Sequence, residues 1–323
     1  YDGAVKGLVF GSDSDVVTSD RVATIQAIGG TGGLKVGADF LRRMGTSKQV
    51  LISDPSWENH RALFTAAGFD VDTYPYYDAA NRGINFDGML ARLNSAEAGT
   101  IVVLHACCHN PTGYDIDPAQ WDQVVATVKA RNLTAFLDMA YQGFGFGIQE
   151  DGAVIQKFVD AGLSFLVSTS FSKSFSLYGE RVGALSVLCE SKDEAAKVLS
   201  QFKIAIRTNY SNPPIHGGSV VATVLGTPEL RAQWEQELAE MRDRIKVMRQ
   251  TLVDGLTAAG VQADMSFITK QIGMFSYSGL TKDQMVRLRN EFGVYGTDTG
   301  RMCVAALNSK NIDYVCASIA KVV

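Results

Sequence analysis

Long apolar runs, an excess of one charge and an even set of cysteines are all missing from this chain of 323 residues. No run of about eighteen apolar residues occurs, so we expect no membrane-spanning helix and no membrane partner. Lysine and arginine (30) nearly balance aspartate and glutamate (34), and without a basic stripe we expect no nucleic-acid partner. Five cysteines, an odd number, do not suit a disulfide-stapled scaffold, so we expect reduced thiols and a cytoplasmic location.

Apolar segments typical of buried strands alternate with amphipathic helical segments through most of the chain. Residues 101–105 and 134–137 are clear examples of such strands. This alternation predicts an α/β fold with a mostly parallel central sheet and helices on both faces. A long helical pattern over 228–259 precedes a change of composition and a smaller α+β part. We therefore predict a large domain at 1–240 and a small C-terminal domain at 241–323.

The stretch around Lys173 carries the most distinctive chemistry. It follows an apolar strand at 163–167, so Lys173 lies where a strand ends and can meet a ligand. A lysine desolvated among cations becomes a nucleophile that forms imines. The hydroxyls of Ser170 and Ser172 and the charge of Arg181 suit a phosphate. Two other interpretations stay open here: a solvated loop lysine, and the acyl-enzyme motif Ser-x-x-Lys, whose companion motifs are absent.

Two further strand ends have features that suit a ligand. Residues 29–33 are rich in glycine, and we predict a turn that opens a helix at Leu34 and offers backbone N–H groups to an anion. Glycines at a tight turn also need no ligand. Trp57, after another strand, either stacks on a flat ring or belongs to the core.

The segment 105–113 begins at the end of an apolar strand. Its two histidines and two cysteines raise a zinc interpretation. Neighbours on extended chain point to opposite faces and no second ligand cluster follows, so we predict no metal site. Asn110 lies in a strong turn signal and can offer its amide to a ring oxygen.

Asp138 ends a buried strand, where an unpaired carboxylate is costly, so it needs a cationic partner. A protonated pyridine nitrogen would serve; a helix cap or a structural ion pair are the alternatives. Arg301, at the start of an apolar strand, is either a surface charge or a clamp for a carboxylate. Together these residues meet the needs of pyridoxal phosphate: an imine-forming lysine, a phosphate site, and an acid that keeps the ring an electron sink.

Several long motifs occur in order along the whole chain, namely Gly30-Thr31-Gly32, Pro55-Ser56-Trp57-Glu58-Asn59-His60, Cys107-Cys108-His109-Asn110-Pro111-Thr112-Gly113, Asp138-Met139-Ala140-Tyr141-Gln142-Gly143-Phe144, and Ser170-Phe171-Ser172-Lys173 through Arg181. In these motifs the chain resembles the class I aspartate and aromatic-amino-acid aminotransferases. The resemblance implies a fold type I pyridoxal-phosphate-dependent transferase and a homodimer with shared active sites.

The resemblance also implies a role for each matching residue. Lys173 would carry the cofactor as an imine and shuttle the proton between substrate and cofactor. Asp138 would pair with the pyridine nitrogen, and Tyr141 and Asn110 would bind the phenolic oxygen. The phosphate would be held by Gly30, Thr31, Ser170, Ser172 and Arg181. The remaining cofactor contacts would be stacking by Trp57 and support from His60 and His105.

Substrate binding would fall to residues from two subunits. Trp57 and Asn110 would border the substrate, Arg301 would clamp its α-carboxylate, and Arg207 of the neighbouring subunit would receive a distal carboxylate. Members of the family usually begin several dozen residues earlier, so we expect that an N-terminal segment is absent here. An inactive truncated form, or a non-catalytic relative, is the alternative. Gly29 replaces a serine common in animal members.

The residues that differ between aspartate-preferring and aromatic members give mixed signals about substrate preference. Thr31 and Asn212 resemble aspartate-preferring members, whereas residues 300–305 and Val294-Tyr295 resemble aromatic ones. We predict an enzyme that transfers the amino group of aspartate, and of tyrosine and phenylalanine, to 2-oxoglutarate in a ping-pong reaction. A pyridoxal-phosphate-dependent β-lyase or decarboxylase is a further alternative, which two carboxylate-binding arginines disfavour because transamination needs a second substrate in the same site.

Overall fold

A seven-stranded sheet runs through the centre of the fold, and two small two-stranded sheets accompany it. The computed structural model describes residues 1–45 and 47–323. The strands are β1 (Val22–Ile28), β2 (Gln49–Asp54), β3 (Asp70–Pro75), β4 (Tyr77–Asp78), β5 (Gly83–Ile84), β6 (Ile101–His105), β7 (Thr134–Met139), β8 (Phe165–Ser170), β9 (Val182–Leu188), β10 (Phe275–Tyr277) and β11 (Arg301–Cys303).

Helices fill most of the chain between these strands. They are α1 (Asp2–Phe10), α2 (Asp15–Thr18), α3 (Gly29–Met44), α4 (Glu58–Ala66), α5 (Phe86–Asn94), α6 (Pro118–Ala130), α7 (Ile148–Asp160), α8 (Lys192–Asn209), α9 (Ile215–Gly226), α10 (Pro228–Ala258), α11 (Lys282–Phe292) and α12 (Ile312–Ala320), with 3₁₀ turns at Ser266–Lys270 and Val304–Ala306. Among the described residues, no helix combines the length and apolar character that crossing a membrane requires.

The order of the large sheet is β1-β9-β8-β7-β6-β2-β3. All its pairings are parallel except those of β9, which is antiparallel to both β1 and β8. Alternate side chains along a strand enter different cores because strand side chains alternate between faces. Val102 and Leu104 belong to one apolar cluster, and Val103 and Phe136 belong to the other. Helices therefore cover both faces, and the predicted mostly parallel α/β architecture is confirmed.

Helix α10 contacts elements from both the large and the C-terminal parts of the chain. It packs against α9 on one side and against α12 and the turn at Ser266–Lys270 on the other. Beyond it in the sequence, β10 and β11 form an antiparallel pair, and α11 packs against α12. The α+β character predicted for this part agrees with these elements, while the domain boundary near residue 240 stays a prediction.

Three local expectations need correction or completion. The glycines at 29–33 do not form a turn before the helix, because α3 already begins at Gly29. Its N-terminal residues pack directly on the sheet, which compensates for the low helix propensity of glycine. Helices α2, α7 and α9 were not predicted. A Cβ on Gly217 in α9 would lie 2.3 Å from Cγ2 of Val182, so close packing, and not local preference, favours glycine there.

Candidate active site

A cavity opens at the carboxyl ends of β6, β7 and β8. This is the edge at which open α/β sheets bind ligands. The cavity is lined by Gly30, Thr31, Leu34, Trp57, His105, Asn110, Asp138, Ala140, Tyr141, Ser170, Ser172, Lys173, Tyr178 and Arg181.

Lys173 lies on the loop that follows β8, half-buried beside aromatic rings. Its Nζ atom is 4.6 Å from the centre of the Tyr141 ring. Burial lowers the pKa of this amine and the charge of Arg181 lowers it further, while Asp138 acts in the opposite direction. A larger share of the amine is therefore unprotonated at neutral pH, as a nucleophile requires.

Asp138 is buried near the end of β7, where it pairs in register with His105 of β6. Its Oδ2 atom accepts a hydrogen bond from His60 Nε2 at 2.8 Å, and His60 Nδ1 lies 2.9 Å from Ser56 Oγ. Burial alone would raise the pKa of Asp138, but the hydrogen bond and charge of His60 outweigh it and hold the pKa below its usual value. The cavity thus contains an ionised carboxylate at neutral pH.

His105 is an uncharged side chain next to this carboxylate. Both of its ring nitrogens are buried, and within the described part of the chain neither has a hydrogen-bond partner. Burial lowers its pKa to about 3, so the ring carries no charge at neutral pH. It lies against the rings of His60 and His109, with centre-to-centre distances of 5.0 and 4.3 Å.

A chain of hydrogen bonds crosses one side of the cavity. Asn110 Nδ2 donates to the Tyr141 hydroxyl at 3.1 Å, and Arg301 Nη1 donates to Asn110 Oδ1 at 2.9 Å. Burial and the nearby Asp138 raise the pKa of Tyr141, which keeps the phenol protonated. The guanidinium of Arg301 also lies over the Phe275 ring, 4.8 Å from its centre. Arg301 therefore reaches the cavity edge from the C-terminal part of the chain.

Asp115 fixes the turn that carries Asn110. Its carboxylate accepts the backbone N–H groups of Cys108 at 2.6 Å and His109 at 2.7 Å. Burial raises the pKa of Asp115 to about 6, although these two hydrogen bonds counteract the rise. The sequence offered no periodic signal for this carboxylate, and its role was not predicted.

The opposite end of the cavity is built for an anion. Here α3 begins without a side-chain cap, and Arg181 Nη1 lies 3.5 Å from Ser172 Oγ. None of the ion pairs formed within residues 1–45 and 47–323 involves Arg181. Gly29 has a φ of +66°, and a Cβ there would lie 2.5 Å from Arg181 Nη2. A guanidinium at a helix N-terminus is a binding place for phosphate.

Two aromatic side chains border the opening. Trp57 is the N-cap residue of α4 and meets His60 edge-on, with ring centres 5.3 Å apart. Tyr178, which sequence reasoning missed, is 67% exposed, and Lys173 Nζ lies 5.9 Å from its ring centre. Its position inside the motif around Lys173 was the only available signal.

Three predicted residues do not line this cavity: His60, Arg301 and Arg207. His60 and Arg301 each form a hydrogen bond with a lining residue, Asp138 and Asn110 respectively. The third is Arg207. It lies exposed in the last turn of α8, and its Nη1 atom donates to Ser211 Oγ at 2.6 Å. Its predicted action in the cavity of a neighbouring subunit stays a prediction.

The cysteines of the segment 105–113 have ordinary structural partners. Cys108 Sγ is 3.9 Å from the carbonyl of Tyr141, and Cys107 Sγ is 3.8 Å from Met139 Sδ. Asp151 is near both thiols, yet its carboxylate accepts the backbone N–H groups of Gly143, Gly145 and Phe146. These polar groups therefore have partners within the protein, and the absence of a metal site stays a prediction.

The cavity fits pyridoxal phosphate. An anion site lies at one end, an ionised carboxylate is buried within, and an amine of lowered pKa lies between aromatic rings. These are the features that this cofactor requires of its protein.

Comparisons with known proteins agree with this assignment. Residues 4–319 match the family described as aminotransferase class I and II. The aspartate aminotransferase of Pseudomonas aeruginosa is 60% identical over 322 residues, which cover 100% of this chain and 81% of that protein. The aromatic-amino-acid aminotransferase of Escherichia coli is 52% identical with the same coverage. A crystal structure of the aromatic-amino-acid aminotransferase from Burkholderia pseudomallei, covalently bound to pyridoxal phosphate, superposes with a TM-score of 0.97 at 64% identity, again over 100% and 81%.

Proposed function

This chain belongs to the class I and II aminotransferases, and from that premise we propose that it transfers the amino group of aspartate and of aromatic amino acids to 2-oxoglutarate in a ping-pong reaction. It is a pyridoxal-phosphate-dependent transaminase. The proposal on substrates is supported by the relatives, which include both aspartate and aromatic-amino-acid aminotransferases.

The cofactor supplies an electrophilic carbonyl for the amino group and a ring that withdraws electrons from the α-carbon. Lys173 would provide the amine that holds the cofactor. Once the substrate amine has displaced it, its Nζ atom would accept the proton from the substrate α-carbon and deliver it on the cofactor side, as amino transfer requires. Its lowered pKa supports both roles, because the amine must be unprotonated to accept that proton.

Asp138 would hold the proton on the pyridine nitrogen, because a buried carboxylate stabilises a positive charge beside it. His60 keeps the carboxylate oriented through its hydrogen bond of 2.8 Å. The phosphate would be bound by Gly30 and Thr31 at the start of α3 together with Ser170, Ser172 and Arg181. Trp57 would cover the ring, while Asn110 and Tyr141 would bind its phenolic oxygen.

Substrate recognition would depend on two arginines. Arg301 would bind the α-carboxylate in a bidentate manner, at a guanidinium already oriented by Asn110. Arg207 would bind the distal carboxylate of aspartate or 2-oxoglutarate in the cavity of a second subunit. Its exposed position outside the cavity of its own chain supports a homodimer with shared sites.

Two further proposals concern the domain division and the cellular location of the enzyme. We divide the chain into a cofactor-binding domain at 1–240 and a small domain at 241–323, with α10 spanning the boundary. We place the enzyme in the cytoplasm, which the free state of Cys107, Cys108, Cys189, Cys303 and Cys316 supports.

The observation that carries the proposal is the meeting, in one cavity, of Lys173 and Asp138 with an Asn110 that is bound to Arg301. The test measures glutamate formation from 2-oxoglutarate, with kcat/KM compared for aspartate and phenylalanine. We expect both donors to be used. Turnover of phenylalanine at background would contradict dual specificity. Consumption of aspartate without glutamate formation would point instead to a lyase or decarboxylase.

A further inference from the structure

Arg249 is a buried arginine far along α10, with an exposed fraction of 2%. It shares the core-facing stripe of this helix with Ile245, Leu252 and Leu256. Burial lowers its pKa to about 10. A guanidinium is costly to bury without a carboxylate partner, and an apolar side chain would fill the same stripe at less cost. The hydrogen bonds that Arg249 forms therefore need an explanation.

All of these hydrogen bonds go to the segment that leads into β10. Nη1 donates to the carbonyl of Ile268 at 3.2 Å, and Nη2 donates to those of Gly273 at 2.8 Å and Phe275 at 2.6 Å. Nε has no partner. The fork of one guanidinium thus fixes the backbone of residues 268–275 against α10.

This segment supports Arg301 in two ways. First, β10 pairs with β11, so that Tyr277 is the register partner of Arg301. Second, the Phe275 ring lies under the Arg301 guanidinium at 4.8 Å and meets Tyr141 edge-on, with ring centres 6.1 Å apart. The position of Phe275 therefore determines where the guanidinium lies relative to the cavity.

The same segment also supports the turn that carries Asn110. The N–H of Ile272 donates to the carbonyl of Gly113 at 2.8 Å. A Cβ on Gly273 would lie 2.7 Å from Cβ of Cys108, so the two backbones are in close contact. Asn110 accepts a hydrogen bond from Arg301. Both supports of Arg301, the ring and the amide, consequently depend on the backbone that Arg249 holds.

We propose that Arg249 is a positioning residue of the substrate site: by fixing the backbone at Gly273 and Phe275, it sets the orientation of Arg301 and hence the affinity for a substrate carboxylate. This inference rests on the proposed function, in which Arg301 binds the α-carboxylate. No residue of 268–275 is among the described residues that line the cavity, so we expect replacement of Arg249 to weaken substrate binding more than cofactor binding.

A purely structural role predicts a different result from a positioning role. If Arg249 only completes the core, its replacement lowers the melting temperature and the folded fraction, but the folded molecules bind substrate as before. If it positions Arg301, the folded and cofactor-loaded molecules bind a carboxylate more weakly. Binding must therefore be measured per loaded site, which the absorption of bound pyridoxal phosphate counts.

The experiment titrates succinate, an unreactive dicarboxylate, into the cofactor-loaded protein by calorimetry. For Arg249→Lys we expect Kd to rise about tenfold, because a single ammonium cannot replace the fork of a guanidinium. The cofactor content and its absorption spectrum should match those of the unmodified protein. The matched control is Arg131→Lys, another arginine that donates to a backbone carbonyl, that of Ala96. Its Kd should be unchanged. An unchanged Kd in loaded Arg249→Lys overturns the proposal.

A double-mutant cycle tests the path through Arg301. In an Arg301→Lys background, we expect Arg249→Lys to change Kd by less than about twofold, because residues that act through one another are not additive. A full tenfold effect in that background contradicts the proposal. Should Arg249→Lys not fold, Phe275→Leu tests the same path by removing the ring while keeping the carbonyl. An unchanged Kd for Phe275→Leu overturns it.

Failure of the proposed function has a separate signature. Glutamate formation by the unmodified protein tests that function without reference to Arg249. If the unmodified protein neither forms glutamate nor binds succinate, the proposed function and this inference both fail. If it does both, and loaded Arg249→Lys binds succinate normally, only this inference fails.

Discussion

The two sides of the cavity are built in different ways. The cofactor side is formed by the ends of long central strands, and Asp138 and Ser170 there are buried. The substrate side depends on Arg301, which is half-buried on the three-residue strand β11, and on Arg207, which is exposed outside the cavity. A rigid sheet thus holds the groups that perform the chemistry, whereas peripheral elements choose the substrate. Changes on the first side should lower kcat, and changes on the second should raise KM.

The largest effect is expected at Lys173. Lys173→Ala removes both the amine that holds the cofactor and the group that moves the proton, so the rate of amino transfer should fall by about 10⁴-fold. When aspartate is added, the absorption band of pyridoxal phosphate should no longer show the shift that accompanies a completed half-reaction. Lys203→Ala, on the exposed surface of α8, is the control. Retention of even a tenth of the activity in Lys173→Ala would remove the lysine from its assigned role.

Asp138→Asn should lower kcat by about 10²–10³-fold, because the ring nitrogen loses the buried negative charge that stabilises its proton. KM for aspartate should change little, since Asp138 belongs to the cofactor side. Steady-state kinetics with saturating cofactor measure both constants. Asp122→Asn, at a surface ion pair with Lys157, controls for a general effect of removing a carboxylate. A rise in KM at unchanged kcat would contradict the division between the two sides.

Asp115 gives the cofactor side a measurable pH dependence of stability. Its pKa is raised from 3.8 to about 6 in the folded protein, chiefly by burial. Between these values the folded state binds more protons than the unfolded state, so this group contributes less stability as pH rises, by about 3 kcal/mol in total. We expect the difference in unfolding free energy between the unmodified protein and Asp115→Asn to change by this amount across that window. Urea unfolding at several pH values measures it, and parallel curves would disprove it.

The smallest effect is expected on the substrate side. Arg301→Lys keeps the positive charge but loses the bidentate fork, so KM for aspartate should rise about tenfold while kcat changes less than about threefold. Arg289→Lys, which changes a surface arginine paired with Asp298, should leave both constants unaltered. A fall in kcat without a rise in KM would place Arg301 on the chemical side of the comparison.

The difference between the two sides also explains what could be predicted from the sequence. Asp138 and Lys173 were found because each directly follows or ends an apolar strand, and parallel strands bring such ends together. The antiparallel course of β9 has no local signature, because its apolar run resembles that of any buried strand. Pairing between strands distant in sequence decides its direction.

Other features were missed because tertiary contacts override local preference. The glycines at the start of α3 favour a turn by propensity but are helical. Arg249 was visible as a charge within the apolar stripe of α10, yet a snorkelling surface arginine gives the same pattern. Only the positions of the carbonyls of Gly273 and Phe275 distinguish the two cases.

The pairing of β1 with β9 and of β9 with β8 has a consequence for synthesis of the chain. It joins the start of α3 to the loop of Lys173, as when Ser168 donates to the carbonyl of Gly30 across 138 positions. At the usual rate of translation, the ribosome adds Ser170, Ser172 and Arg181 roughly ten seconds after Gly30, so the two parts of the phosphate site are synthesised at different times. A nascent chain that ends before Arg181 has only one half of the phosphate site. We therefore expect the chain to acquire pyridoxal phosphate only when the large sheet is complete.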